Sequence, residues 1–131
     1  MVYEFSLETE GQNFYNITAQ VAQAVAQSGA AEGLCQVFCP HTTAGITVNE
    51  NADPDVVADF LLALDKTFPQ RPEFRHAEEN SPAHQKASFM GCGQTLVVEG
   101  GRLLLGVWQG VYFCEFDGPR RRRFYVKVIK G

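Results

Sequence analysis

Pro40-His41-Thr42-Thr43-Ala44-Gly45-Ile46-Thr47-Val48-Asn49-Glu50-Asn51-Ala52-Asp53-Pro54 sets one imidazole, three hydroxyls, two amides and two carboxylates between two apolar segments. Packing alone does not call for so many polar groups in a row. Strand ends and loops held by a rigid scaffold are where binding and catalytic groups usually sit. The stretch predicts a strand over Gly45 to Glu50 and then a helix, because Asp53-Pro54 is a good N-cap and first-turn pair. The cap accounts for Asp53 and leaves His41, Asn49 and Glu50 without a structural task.

Outward from this stretch, local patterns place the remaining elements. Val2 to Thr9 alternates apolar and polar, the period of a half-buried strand. Asn16 is positioned to cap a helix with Ile17, Val21, Val25 and Ser28 on one stripe, ended by Ser28-Gly29. Leu34 to Cys39 reads as a strand leading into the His41 loop. Val57, Phe60, Leu61, Leu64 and Phe68 give the second helix its apolar face, stopped by Pro69. Gln70 to Asn80 reads as loop. A third helix starts at Ser81-Pro82, with Ser81 as its cap, and reaches Met90-Gly91. Gly100-Gly101 between Leu96–Glu99 and Arg102–Leu105 is a two-residue hairpin signal. Val107 to Phe116 and Phe124 to Ile129 complete the sheet around the turn Asp117-Gly118-Pro119. The order predicts a single α+β domain over residues 1–131, with a largely antiparallel sheet and three helices. So few helices leave sheet surface bare, and oligomerisation is the expected cover.

The 131 residues, 45% hydrophobic and 20% charged, suit one globular domain and no membrane span. The N-terminus lacks the regions of a signal peptide, so a cytoplasmic location is expected. A formal charge of −4 argues against a nucleic-acid partner. Arg120-Arg121-Arg122-Arg123 is a local exception, either solvated or turned inward in part as a fork for phosphate or carboxylate. Cys35, Cys39, Cys92 and Cys114 show no Cys-x-x-Cys spacing and are expected to be reduced and buried.

The three histidines, His41, His76 and His84, all lie in or beside polar stretches. Three imidazoles on short rigid supports can converge as a metal site with open positions, Zn²⁺ being the natural ion. No spacing here is diagnostic, and spacing alone favours three unrelated surface or hydrogen-bonded rings. His84 is expected near a helix N-terminus, where the positive end disfavours imidazolium. Glu50 and Glu78 are the acid–base candidates. Lys86 near the same helix start is a candidate anion holder, with Arg120 and the hydroxyls of Thr42, Thr43 and Ser88 as further substrate contacts.

His41 to Asn51 with Asp53-Pro54, Ser81-Pro82-Ala83-His84 with Lys86 and Ser88, Trp108-Gln109-Gly110, and Glu115 to Arg120 together resemble the YjbQ-like family. Its members are known as secondary thiamine-phosphate synthases or as uncharacterised proteins. The resemblance implies an α+β fold, half-barrel or sandwich-like, assembled as a homotrimer with a pocket at or near the subunit boundary. It implies that His41, His76 and His84 gather there, with Asn49, Glu50 and Gln109 as polar neighbours. The implied activity joins a pyrimidine pyrophosphate to a thiazole phosphate. Mg²⁺ is the usual partner of a departing pyrophosphate, whereas imidazoles favour Zn²⁺, so the synthase reaction can be a side activity. The competing expectation is a trimer that binds a phosphorylated metabolite or divalent metal without turnover. Two positions depart from the family pattern: Val107 stands where Thr often precedes the Trp, and Glu79 where Gly is common.

Overall fold

Alternation at the N-terminus produces β1 (Val2–Thr9), whose odd-numbered residues Tyr3, Phe5, Leu7 and Thr9 turn inward while the even ones face solvent. The computed structural model describes residues 1–131. After β1 come β2 (Asn13–Asn16), α1 (Thr18–Ser28), β3 (Gly33–Phe38), β4 (Ala44–Glu50), α2 (Pro54–Thr67), α3 (Ser81–Met90), β5 (Gly93–Glu99), β6 (Arg102–Leu103), β7 (Gln109–Glu115) and β8 (Arg120–Lys130). The strands form a curled five-stranded sheet, β1-β8-β3-β5-β6, and a second sheet, β2-β7-β4. Every pairing is antiparallel. The fold is α+β, a half-barrel with a second sheet and three helices.

The main core lies between the sheets. Val37, Ile46, Val111, Phe113, Phe124 and Val126 meet there, and α1 adds Val21, Ala24 and Val25. A second cluster on the other side of β7 joins Phe14, Tyr112, Cys114 and Phe116 to Leu64 of α2 and to Ala83 and Ala87 of α3. β7 is therefore covered on both faces, which is why Val111 to Phe116 reads as an almost unbroken apolar run.

Several local expectations shift. Phe124 to Ile129 and Val107 to Phe116 belong to different sheets, because the turn at Asp117 to Pro119 carries the chain from one layer to the other. β7 begins only at Gln109, leaving Val107 and Trp108 exposed. β2 carries too few residues to show alternation and is held by its register with β7. Asn16 works from one residue outside the cap position: Ile17 occupies that position, and Asn16 Oδ1 accepts from Thr18 N at 3.0 Å. Asn80, not Ser81, occupies the cap position of α3, and its side chain makes no capping bond. Cys92 is exposed, unlike the other three thiols.

Candidate functional site

Three connections bring the polar stretches to one end of the molecule. β3 stops at Phe38 and Pro40 leads the chain off the sheet, setting His41, Thr42 and Thr43 at the rim between the layers. The loop before α3 supplies His76 and Glu78, with the intervening turn closed by Glu79 at φ 59°. Asn80 and His84 come from the start of α3, and Asp117, Arg120 and Arg122 from the β7–β8 turn and β8. Together they enclose a cavity of about 360 Å³ lined only by polar side chains and Pro40.

The rings of His76 and His84 stand edge to face, with centroids 5.2 Å apart. His41 is anchored separately. Its Nε2 lies 3.1 Å from both the backbone N and the backbone O of Arg123, extending the β3–β8 ladder beyond Phe38. The tautomer that donates Nε2–H to the Arg123 carbonyl leaves the Nδ1 lone pair free, the usual support for a metal-binding imidazole. Burial, then the Arg122 guanidinium, holds His41 below its ordinary value, with only partial relief from the Arg123 backbone. No three side chains among His, Cys, Asp and Glu are gathered closely enough to hold an ion as they stand.

Behind the cavity runs an ion pair that ties the two sheets together. Glu115 is fully buried; Arg122 donates from Nε to Glu115 Oε1 at 2.7 Å and from Nη2 to Glu115 Oε2 at 2.5 Å and Thr43 Oγ1 at 2.7 Å. Thr9 Oγ1 donates to the same carboxylate at 2.7 Å. Burial pushes the Glu115 carboxyl up, but hydrogen bonds from Arg122, Thr9 and the Asp117 N–H outweigh it and leave the group below its ordinary range. Asp117 is held low in the same way, its burial outweighed by Asn80 and Arg120. Asn80 Nδ2 donates to Asp117 Oδ2 at 2.8 Å, while Asn80 Oδ1 is buried without a donor. Arg120 reaches Asp117 Oδ2 at 2.9 Å and the Asp117 carbonyl at 2.8 Å.

Other sequence candidates fall elsewhere. Lys86 lies about 200° around the helix from His84. Its buried Nζ donates to Asp65 Oδ1 at 2.6 Å and Gln12 Oε1 at 2.7 Å, which corrects its expected place at the anion site. Ser88, one turn beyond His84, is exposed and does not line the cavity. Asn49, Glu50 and Gln109 sit at the opposite end of the β4–β7 pair, roughly 20 Å from Thr43 by strand rise. There Glu50 Oε2 accepts from Asp53 N at 3.2 Å and Gln109 Oε1 from Gly106 N at 2.8 Å. Cys39 is buried with its thiol pushed up to about 11, which removes it as a nucleophile. Arg122 is the member of the Arg120–Arg123 run that turns inward as a fork on a carboxylate, and that carboxylate is Glu115, to which the sequence pattern alone assigns no role. The signal was available: Glu115 shares the inward parity of Val111 and Phe113, and Arg122 that of Phe124 and Val126.

The family model described as UPF0047 protein YjbQ-like matches residues 3–131. The chain belongs to the YjbQ-like (UPF0047) family. Among YjbQ-like relatives, YugU of Bacillus subtilis is 49% identical over 92% of this chain and 92% of its own. The UPF0047 protein MJ1081 of Methanocaldococcus jannaschii is 45% identical over 98% of this chain and 94% of its own. The crystal structure of a YjbQ/UPF0047 protein from Clostridium acetobutylicum, 55% identical, superposes with a TM-score of 0.95 over 97% of this chain and 99% of that one. A YjbQ-like protein of unknown function from Sulfolobus solfataricus, 30% identical, superposes at 0.90 over 100% and 99%. The YjbQ-like fold thus persists while most side chains change.

Proposed function

We propose that the histidine cavity is the reactive centre of a metal-assisted transferase acting on phosphorylated small molecules, with thiamine phosphate formation as a side activity. The observation that carries this reading is the His76–His84 pair beside His41 in a wholly polar cavity. Two imidazoles on one tetrahedral zinc, at Zn–N distances of about 2.0–2.1 Å, place their ring centroids roughly 5 Å apart, which fits the 5.2 Å observed. His41 would be the third ligand through Nδ1, held in orientation by Arg123. Zn²⁺ is the ion this donor set favours, and Mg²⁺ would require oxygen ligands instead. A bound metal would polarise a phosphoryl oxygen.

The chain's own groups divide the remaining work. Arg120, oriented by Asp117, offers its free N–H groups to a phosphate, and the hydroxyls of Thr42 and Thr43 border the same space. Glu78 at the rim is the general acid–base. Asn49, Glu50 and Gln109 can contribute only to the pocket of a neighbouring copy, as in a homotrimer with pockets at the subunit boundaries. Glu78 is exposed and makes no hydrogen bond, and this favours the second reading, a trimer that binds a phosphorylated metabolite or metal without turnover.

Phosphorus NMR of the zinc-reconstituted protein with a pyrimidine pyrophosphate and a thiazole phosphate tests the transferase. Release of inorganic pyrophosphate that disappears in His84→Ala is expected. Metal uptake of one ion per subunit without any release would leave the binding module. Failure of the protein to take up zinc on reconstitution, or equal uptake by His84→Ala, would overturn the metal site itself.

A further inference from the structure

The five-stranded sheet turns its outer face away from all three helices, and at the Arg120 end of β8 that face holds a second cavity. It measures about 330 Å³ and is lined by Glu4, Ser6, His41, Arg121, Arg122 and Arg123, with no hydrophobic residue. His41 and Arg122 also line the histidine cavity, so one wall separates the two spaces.

Charge in this second cavity is unbalanced. Arg122 is neutralised by Glu115, Arg120 by Asp117 and Lys86 by Asp65. Arg121 and Arg123 join no ion pair and their side chains make no hydrogen bond. Their cross-strand neighbours are Glu8 and Ser6, and Glu8 does not close on Arg121. Two residues apart on one strand face, the arginines are separated by roughly 7 Å along the backbone, within reach of a single phosphate or pyrophosphate for two flexible guanidiniums. Unpaired surface arginines are ordinarily just solvated. These two differ in lining a concave, wholly polar space that shares its wall with the histidines, in a chain whose formal charge is −4.

We propose that Arg121 and Arg123 form an anion subsite that holds the phosphate or pyrophosphate of a ligand extending over the His41–Arg122 wall toward the histidine cavity. Ser6 Oγ donates to the same anion. Glu4 is the one carboxylate of the lining and faces a hydroxyl or amino donor of the ligand, not its charged oxygens. The substrate class is an elongated phosphate ester or pyrophosphate whose reacting part and anionic end lie on opposite sides of the wall. Only the reacting part rests on the transferase reading; the subsite stands on its own geometry.

Isothermal titration of the purified protein with inorganic pyrophosphate, and separately with inorganic phosphate, tests it. Saturable binding of one pyrophosphate per chain is expected, weakened roughly ten- to hundredfold in Arg121→Gln/Arg123→Gln by loss of charge-assisted hydrogen bonds. Lys130→Gln, which removes an exposed charge at the far end of β8, should leave affinity unchanged. Circular dichroism melts confirm that the variants fold. Unaltered affinity in the double variant, or an equal loss in Lys130→Gln, would overturn the subsite. So would a changed mass in light scattering with unchanged pyrophosphate affinity, because the arginines would then belong to an interface between copies. The two readings fail separately: loss of the subsite leaves zinc uptake intact, and loss of the metal site leaves pyrophosphate binding intact.

Discussion

Glu115 and Arg122 show what a single position can do in this fold. Each lies on the inward face of its strand, one in each sheet, and each would be an unpaired buried charge without the other. Removing one partner of such a pair typically costs about 3–5 kcal/mol, because the desolvated survivor is left alone. Arg122→Ala or Glu115→Ala should therefore lower the urea midpoint strongly, whereas Arg121→Ala should leave it nearly unchanged. Equal midpoints for Arg122→Ala and Arg121→Ala would show the pair to be unimportant for stability. Glu115 and His41 set a pH dependence. His41 is held below its ordinary 6.5 in the folded chain, so the native state binds fewer protons than the unfolded one. Its contribution is complete above pH 6.5 and declines as pH falls through that value, levelling off below the folded pKa. Glu115 is lowered from 4.5, so its contribution is present above that pH and is lost as pH falls through its folded value. Thermal melts should thus show two losses on acidification, and His41→Gln should abolish only the upper one. An unchanged upper step in that variant would reassign it to another group.

At the scale of elements, the helix starts differ in how they are made. Asp53 Oδ1 accepts from Asp55 N at 2.9 Å at the head of α2, a side-chain cap. Asp53→Ala should cost about 1 kcal/mol in chemical denaturation; no change would mean that the first turn is held by Pro54 and packing alone. The head of α3 has no such bond, and its entry depends on Glu79 in the left-handed region at φ 59°. A side chain there costs roughly 1–2 kcal/mol, and glycine returns part of the gain to the unfolded chain as entropy. Glu79→Gly should therefore raise stability by at most about 1 kcal/mol. A destabilised Glu79→Gly would mean that the Glu79 side chain makes up for its backbone strain. This turn sets His76 and Glu78 against His84, so it belongs to the site as well as to the fold.

The whole molecule covers its two sheets unequally. β7 is enclosed by the main core on one face and by α2 and α3 on the other. The outer face of the five-stranded sheet has no helix over it and leaves Leu34, Val97 and Ile129 exposed. That imbalance is the structural motive for the homotrimer proposed above. Light scattering at micromolar concentration should give three times the 14.5 kDa of one chain, and a mass near 14.5 kDa would reject the trimer. No helix is long and apolar enough to cross a membrane.

By itself, the sequence determined what depends on neighbours within a turn or two. Period-two alternation marked β1, the Ile17-Val21-Val25 stripe marked α1, Asp53-Pro54 opened α2, and Gly100-Gly101, with φ of 60° and 75°, turned β5 into β6. The polar stretches that carry His41, His76 and His84 were equally legible, since they break apolar patterns locally. Tertiary structure decided which faces meet. Thr9 and Glu115 are 106 positions apart, yet their bond and the Arg122 fork join the two sheets, a pairing that no local period encodes. Lys86 turned away from His84 because two helical residues span more than half a turn. Asn49, Glu50 and Gln109 moved to the far end because an extended strand separates its two ends by its full length. Local periodicity sets the direction of each side chain relative to its own element. The strand register and the order of the two sheets, set by the free energy of burying all those faces at once, decide which side chains share a cavity.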